Sequence, residues 1–171
     1  RYLPRHLAAR RLDRLRAGRQ LRVTGRSDAT LNRGGVRLGT AEFYRVVEEL
    51  PGVADSLVVH LEDPAGGNGE LILFVTTSPQ RGELDDALIA TIRSTLRTAL
   101  SPRHVPDRIL GVPGIPRNLT GKKLELPIKR ILQGTPATQV VSRDALADPS
   151  VLDAFTALAP QHVADQQETH A

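Results

Sequence analysis

The chain has 171 residues, of which 40% are hydrophobic and 25% are charged, enough for one ordinary hydrophobic core with appendages. It contains no cysteine, which excludes disulfides, cysteine-ligated zinc and a thiol nucleophile. No apolar run approaches the ~20 residues of a membrane-spanning helix, and no signal-peptide pattern opens the chain. We therefore expect a soluble, cytoplasmic protein, and because its first residue is Arg1, a fragment of a longer one.

The net charge of +4 is distributed unevenly. Residues 1–26 hold nine arginines and a single acid, Asp13, so the rest of the chain has a net charge of −4. Such an arm could bind nucleic acid electrostatically, but only Tyr2 is available there for base stacking. A solvated or disordered arm is the favoured interpretation, and nucleic-acid binding is the minor alternative.

The first predicted elements are a small hairpin and a helix. Segment 21–28, LRVTGRSD, is one strand candidate, and segment 32–39, NRGGVRLG, with its paired glycines, is the second. Thr40 is placed to cap a helix that Pro51 and Gly52 end. Its core-facing stripe follows the i, i+3, i+4, i+7 pattern at Phe43, Val46, Val47 and Leu50.

Two apolar segments follow at 53–62 and 70–78, and the glycine-rich loop between them predicts antiparallel neighbours. Residues 84–100 repeat leucine or isoleucine at four-residue spacing, which predicts an amphipathic helix. A third strand at 105–112 leads to a loop and then to a helix that ends near Gly134. The order β-β-α-β-β-α-β-α predicts an α+β fold, a small mixed or antiparallel sheet with flanking helices, preceded by a short β-hairpin.

The C-terminal segment predicts one more helix, in DPSVLDAFTALA, with Asp148 as its N-cap and Pro149 at its first position. Beyond Ala159 the composition is polar, which is typical of a frayed end. The chain is thus divided into an atypical Arg-rich arm at 1–24, a domain at 25–133 and an extension at 134–171.

Two adjacent lysines, Lys122 and Lys123, follow Gly121 in the loop IPRNLTGKK. This is not a P-loop, because Pro116 stands where that motif needs its first glycine and Lys123 where it needs Ser or Thr. A lysine beside a flexible glycine can still place its charge against negative charge that develops on a substrate. Most surface lysines are simply solvated, so a second motif is needed to distinguish the two interpretations.

That second motif is GRSDATLNRGGVRLGTAE, at 25–42. Together with IPRNLTGKK it resembles the two signature motifs in the small C-terminal domain of the adenylate-forming superfamily, which comprises acyl-CoA synthetases, nonribosomal peptide adenylation domains and luciferases. The segments GRSDATLN, LSPRHVPD, GKKLEL and SRDALADPSVLDAF resemble the acetoacetate-activating branch of the acyl-CoA synthetases. Ala29 departs from the general motif, where many relatives have a second aspartate, and the branch shares this feature.

The resemblance implies a ligase reaction in two steps. A carboxylic acid and Mg-ATP form an acyl-adenylate with loss of pyrophosphate, the small domain rotates, and the thiol of CoA then displaces AMP. Lys122 matches the lysine that enters the active site for adenylation, whereas Lys123 is expected to be solvated or to position the following helix. The large N-terminal adenylation domain, which binds most of the ATP, Mg²⁺ and acetoacetate, is missing from this sequence, so we expect no turnover from it alone and no metal ligands in it.

The resemblance implies roles for four further residues. Asp28 matches the hinge residue between the two domains, and the resemblance favours this role over an aspartate that simply ends a turn. Gly35 matches the glycine beside the pantetheine arm of CoA, with a turn glycine as the alternative. Arg37 matches an arginine near the nucleotide phosphate. Arg97 lies where some relatives contact the CoA nucleotide, and a solvated helix arginine is the favoured interpretation.

Glu42 and His104 need no catalytic role. Glu42 lies in the first turn of the predicted helix, where an acid interacts favourably with the helix dipole, and this explains its placement. His104, in SPRHVP, has no acid beside it and no partner at a metal-ligand spacing, so we interpret it as structural.

Residues 1 to about 20 depart from the family, where an acidic, tryptophan-containing strand usually precedes the match. A neighbouring reading frame of possible codons for ARRLDRLR encodes Arg-Asp-Gly-Trp-Ile-Asp-Phe-Glu, which is what the family would place there. We hypothesise that this arm comes from a frameshifted reading of the gene and that its arginines carry no function. The DNA sequence would test this, since a shifted frame must join such a segment to an upstream adenylation domain.

Overall fold

The computed structural model describes residues 30–33 and 35–159. The Arg-rich arm, the strand candidate at 21–28, the proposed hinge residue Asp28 and the polar end beyond Ala159 lie outside the described residues. What the sequence indicates about them stays a prediction.

The described chain is an α+β fold, as predicted, and its elements from α1 to α3 follow the predicted order. The strands are β1 (Thr30–Arg33), β2 (Val36–Gly39), β3 (Val53–Leu61), β4 (Glu70–Thr77) and β5 (Arg108–Gly111). The helices are α1 (Thr40–Glu48), α2 (Asp86–Ala99), α3 (Glu125–Leu132), α4 (Ala137–Val140) and α5 (residues 151–159). Single 3₁₀ turns lie at Pro102–His104 and Arg143–Ala145.

The main sheet has the strand order β3-β4-β5 and is mixed. β3 and β4 are antiparallel, with Leu57 opposite Phe74, while β4 and β5 are parallel and joined by the α2 crossover. Successive residues of β4 enter two different clusters of buried side chains, Ile72 and Phe74 on one face and Leu73 on the other. Since helices cover both faces, β4 reads in the sequence as a continuous apolar run rather than as an alternating one.

Helices α1 and α2 cover one face of this sheet. Their buried side chains are spaced by three or four residues and form one cluster with the strands: Phe43, Val47, Leu88, Ile92 and Leu96. Asp85 caps α2, since its Oδ1 accepts a hydrogen bond of 2.7 Å from the backbone N–H of Leu88.

Helices α3 and α5 cover the other face. Ile128 and Ile131 of α3 pack in one cluster with Leu57 and Phe74, and the ring of Phe155 in α5 lies edge-on to Phe74 with centroids 4.9 Å apart. Residues beyond 133 therefore share the core of the preceding strands. We propose that the folding unit runs to residue 159, so that the predicted boundary near 133 does not separate two bodies.

The hairpin differs in detail from the predicted one. Arg33 of β1 pairs with Val36 of β2, so the two strands are separate and the prediction of one strand over 32–39 is wrong. Gly35 has a φ of +76°, a region that glycine adopts readily and other residues avoid. Thr40 is also not the helix cap: it is the first residue of α1 and buried, and Gly39 holds the cap position without a side-chain hydrogen bond.

Candidate functional site

The lysine loop, defined as residues 117–123 between β5 and α3, is a small closed structure. An isolated antiparallel bridge between Arg117 and Lys123 closes it. Inside it, Oδ1 of Asn118 accepts a hydrogen bond of 2.8 Å from the backbone N–H of Lys122, and the carbonyl of Lys122 accepts one of 3.0 Å from the N–H of Asn118. The backbone of the loop is therefore fixed by its own hydrogen bonds.

Lys122 has an exposed side chain at the end of this fixed backbone. Gly121, immediately before it, has a φ of +81°, which permits the tight turn. A cationic side chain presented from a rigid backbone can meet a ligand with little further ordering of the chain. This is the placement that an adenylation lysine would need.

Lys123, in contrast, points into the protein, and its side chain is only 11% exposed. Its Nζ forms an ion pair with Glu48, lies 2.9 Å from Oδ1 of Asp55 and donates a hydrogen bond of 2.6 Å to the carbonyl of Ser56. It also lies 3.7 Å from the centroid of the Tyr44 ring, within the range of a cation–π contact. Of the two alternatives for this lysine, solvation is wrong, and positioning of the following helix stays a prediction; its contacts anchor the lysine loop to α1 and β3.

Arg117 anchors the other end of the loop to the same carboxylate. Its Nη2 lies 2.9 Å from Oδ1 and 2.8 Å from Oδ2 of Asp55, and its Nε lies 3.2 Å from Oδ2. Burial by itself would raise the pKa of Asp55, but hydrogen bonds from Arg117 and Lys123 outweigh it and hold that pKa below its ordinary value. Asp55 is thus a carboxylate at neutral pH.

Tyr44 joins α1 to the start of α3. Its hydroxyl donates a hydrogen bond to Oε1 of Glu125 and accepts one of 3.4 Å from the N–H of Val58. Burial, and then the negative charge of Glu125, raise the pKa of Tyr44 far above its ordinary value, so the hydroxyl keeps its proton. Together with Lys123, which binds the carbonyl of Ser56, Tyr44 covers the outer edge of β3.

The C-terminal segment also supports the lysine loop. The N–H of Ala147 donates to the carbonyl of Arg117 at 2.9 Å, and the N–H of Leu119 donates to the carbonyl of Ala145 at 3.2 Å. Two backbone hydrogen bonds therefore hold the first half of the loop beside residues 145–147, independently of the Asp55 carboxylate.

The hairpin is the second candidate site. Gly35 is exposed in its turn, and no atom lies within 4 Å of the place where a Cβ would be added. Arg37 lies exposed on β2, opposite Asn32. Arg33 fastens the hairpin to the segment before β5 through an ion pair with Asp107. The two candidate sites thus have separate anchors on the main sheet.

Arg97 lies exposed in the last turn of α2. A cation in that turn interacts favourably with the helix dipole, which explains its placement without a ligand. Its proposed contact with CoA stays a prediction from the resemblance.

His104 has an acid near it in space, contrary to the expectation from its sequence neighbours. Its Nε2 lies 3.7 Å from Oε2 of Glu42, its Nδ1 lies 2.8 Å from Oγ of Ser101, and its ring packs against Phe43 with centroids 5.0 Å apart. Burial lowers the pKa of His104, and the charge of Glu42 opposes this only in part. The residue is a buried contact between α1 and the 3₁₀ turn.

Sequence reasoning missed the anchors of the lysine loop, namely Tyr44, Glu48, Asp55 and Arg117. One signal was available, because Asp55 is a charged residue in a strand whose other members are largely apolar. Within residues 30–33 and 35–159, no three His, Asp or Glu side chains are grouped to hold a metal ion. No helix in that same part of the chain is long and apolar enough to cross a membrane.

Comparison with known proteins gives two consistent sets of relatives, although no protein-family model matches the chain. Acetoacetyl-CoA synthetase of Caenorhabditis elegans is 47% identical over 133 residues, which cover 78% of this chain and 18% of that protein. Acetoacetyl-coenzyme A synthetase of Rhizobium meliloti is 44% identical over 139 residues, or 80% of this chain and 20% of that protein.

Two solved structures agree with these relatives. Acetoacetyl-CoA synthetase from Streptomyces lividans has a TM-score of 0.71 and 45% identity, covering 80% of this chain and 20% of that one. An acyl-CoA synthetase from Brucella canis has a TM-score of 0.52 and 25% identity, covering 64% of this chain and 19% of that one.

The chain therefore shares its fold, a mixed sheet flanked by helices with a glycine hairpin and a lysine loop, with the small C-terminal domain of adenylate-forming enzymes. Within that class, the chain is a homologue of the acetoacetyl-CoA synthetases over about four fifths of its length. It spans about one fifth of the length of these relatives.

Proposed function

We propose that the chain is the C-terminal part of an ATP-dependent acid–thiol ligase that converts acetoacetate, ATP and CoA to acetoacetyl-CoA, AMP and pyrophosphate. The observation that carries the proposal is the exposed Lys122 on a fixed loop, in a chain 44–47% identical to acetoacetyl-CoA synthetases. Acetoacetate is proposed as the acid substrate because those relatives are named as acetoacetyl-CoA synthetases. Other short-chain acyl-CoA synthetases are the alternative, with the same mechanism.

In the first half-reaction, the substrate carboxylate attacks the α-phosphate of ATP and pyrophosphate leaves. The ammonium of Lys122 would counter the negative charge shared by the carboxylate and the α-phosphate during this attack. The closed lysine loop supports this role, because its backbone is already held by hydrogen bonds and needs little further ordering when the substrates bind.

In the second half-reaction, the thiol of CoA attacks the acyl-adenylate and AMP leaves. Gly35 would leave room for the pantetheine arm, and the guanidinium of Arg37 suits phosphate oxygens. The lysine loop and the hairpin are anchored separately, which fits their use in turn as the small domain rotates about the proposed hinge at Asp28. Arg97 would add a contact to the CoA nucleotide.

The rest of the enzyme must supply the acyl pocket and most of the ATP site. Mg²⁺ would be held by the ATP phosphates and the N-terminal adenylation domain. We therefore expect this chain to be inactive by itself. A cytoplasmic location is part of the proposal, because ATP and CoA are supplied inside cells.

The test is to join the chain to the adenylation domain encoded upstream and to measure thioester formation with acetoacetate, acetate, propionate and butyrate. We expect the largest kcat/KM with acetoacetate, because a site that hydrogen-bonds its β-keto oxygen would have an unpaired donor with butyrate. A preference for butyrate would overturn the assignment of acetoacetate as the substrate but not the assignment of the enzyme as an acid–thiol ligase. If none of the four acids gave ATP-dependent activity, the proposed ligase function would be overturned.

A further inference from the structure

We propose that Asp55 is a positioning residue for Lys122, because its single carboxylate fastens both ends of the lysine loop and so fixes where that lysine is presented. The catalytic consequence rests on the proposed function. The structural part concerns this chain alone and is tested separately.

The geometry of the carboxylate supports this role. Asp55 receives three contacts of 2.8 to 3.2 Å from Arg117 and one of 2.9 Å from Lys123. The backbone N–H of Ser56 donates to Oδ1 at 2.9 Å and holds the carboxylate in orientation. Since Arg117 and Lys123 are the two closing residues of the loop, one side chain on β3 clamps the loop at its base.

The charges around this clamp are balanced. Two cations, Arg117 and Lys123, meet two acids, Asp55 and Glu48, and all four side chains are at least partly withdrawn from water. If Asp55 were neutral, Lys123 would keep its ion pair with Glu48, whereas Arg117 would lose its carboxylate partner and keep hydrogen bonds to uncharged oxygens, such as the one of 2.7 Å to the carbonyl of Gly121 within the same loop. The carboxylate is therefore the side-chain link between the first half of the loop and the sheet.

The backbone bonds to residues 145–147 do not depend on this carboxylate. A variant without it is thus expected to fold, with a lysine loop that moves more. This separates positioning from a general role in stability.

The first experiment uses this chain alone and compares Asp55→Asn with Asp153→Asn. Asp153 is a matched control because it also pairs with an arginine, Arg143, at an exposed site on α5. Hydrogen exchange of the amides in 117–123 and acetylation of individual lysines by acetic anhydride are followed by mass spectrometry. In the parent chain we expect acetylation of Lys122 and protection of Lys123.

In Asp55→Asn we expect exchange in the loop and acetylation of Lys123 to rise about tenfold, since a partly buried charged partner is lost. The Asp153→Asn chain should match the parent. Unchanged exchange and protection in a folded Asp55→Asn chain would overturn the clamp.

The second experiment uses the enzyme joined to its adenylation domain. Asp55→Asn should lower kcat for acyl-adenylate formation about tenfold with little change in the KM for ATP, because the lysine is displaced while ATP is bound elsewhere. Thioester formation from preformed adenylate should change little, and Asp55→Glu should restore part of the loss. Equal losses in both half-reactions would overturn positioning. If the parent enzyme forms no adenylate, the proposed function fails, while the exchange experiment still decides the clamp.

Discussion

The guanidinium of Arg33 lies 2.7 Å from Oδ1 of Asp107 and joins the hairpin to the segment before β5. Arg33 also donates hydrogen bonds to the carbonyls of Arg103 and Val105, at 3.2 and 2.8 Å. The other oxygen of Asp107 accepts a hydrogen bond of 2.7 Å from the N–H of Leu71 in β4. The hairpin is thus held by side-chain bonds as well as by the chain that follows it.

Arg33→Met should therefore loosen the hairpin. We expect a loss of about 1–2 kcal/mol in the free energy of unfolding, because the side chain is 17% exposed and its partners lose charged hydrogen bonds. Arg143→Met is the control: that arginine is 60% exposed, and its loss should cost less than about 1 kcal/mol. Urea denaturation of both chains measures this, and equal losses would contradict the prediction.

Substitutions of the two adjacent lysines should have different effects, one on activity and the other on stability. Lys122→Ala should change the free energy of unfolding by less than about 0.5 kcal/mol, because the side chain is exposed, and should strongly depress acyl-adenylate formation in the joined enzyme. Lys123→Ala should cost about 2 kcal/mol, because it leaves Glu48 and Asp55 with a missing partner. Denaturation curves and half-reaction assays measure the two effects, and equal damage to both half-reactions by Lys122→Ala would argue against alternation.

Gly35→Leu should affect the second half-reaction more than the first. The structure has space at this position, so the cost to folding arises from the φ of +76° and should be about 1–2 kcal/mol. Gly66→Leu is a matched control, since Gly66 has a φ of +84° and equally open surroundings. Only the Gly35 variant should slow thioester formation from preformed adenylate, and a similar slowing by Gly66→Leu would attribute the effect to strain.

The contribution of Asp55 should disappear in acid. Its pKa is lower in the folded chain than in the unfolded chain, so its contribution is complete above about pH 4 and is lost as the pH falls through the folded pKa. The difference in unfolding free energy between the parent and Asp55→Asn should therefore be constant near neutrality and shrink below about pH 4. Taking the difference cancels other acids that titrate there, such as Glu62. A difference that is independent of pH would be incompatible with an ionised Asp55.

His104 should make stability depend on pH nearer neutrality. Its pKa is lowered on folding, so between its folded and unfolded pKa values the unfolded chain binds a proton that the folded chain does not. Stability should thus be highest above about pH 6.5 and fall as the pH drops through that value. His104→Gln should flatten this part of the profile, and an unchanged slope would assign the titration to another group.

The elements from α1 to α3 were predictable because each is encoded by a local pattern, such as the apolar run of β4 or the spacing of Leu88, Ile92 and Leu96. The hairpin strands and α4 were not predicted correctly. The contacts of the lysine loop could not be predicted from the sequence. Asp55 and Arg117 are 62 residues apart, and no local pattern indicates which acid meets which base. Sequence also cannot tell which of two neighbouring lysines points inward, since that depends on the edge of β3 and on the ring of Tyr44.

The packing of Phe155 on Phe74 has a consequence for biosynthesis. A ribosome releases β3, β4 and β5 well before residues 151–159, so one apolar face of the nascent sheet is covered only in part, by α3, until α5 is made. Residues 145–147, which pair with the lysine loop, emerge only shortly before α5. A transcript truncated before this point would therefore yield an aggregation-prone polypeptide for chaperones and proteases, and Lys122 would lack part of its support in it.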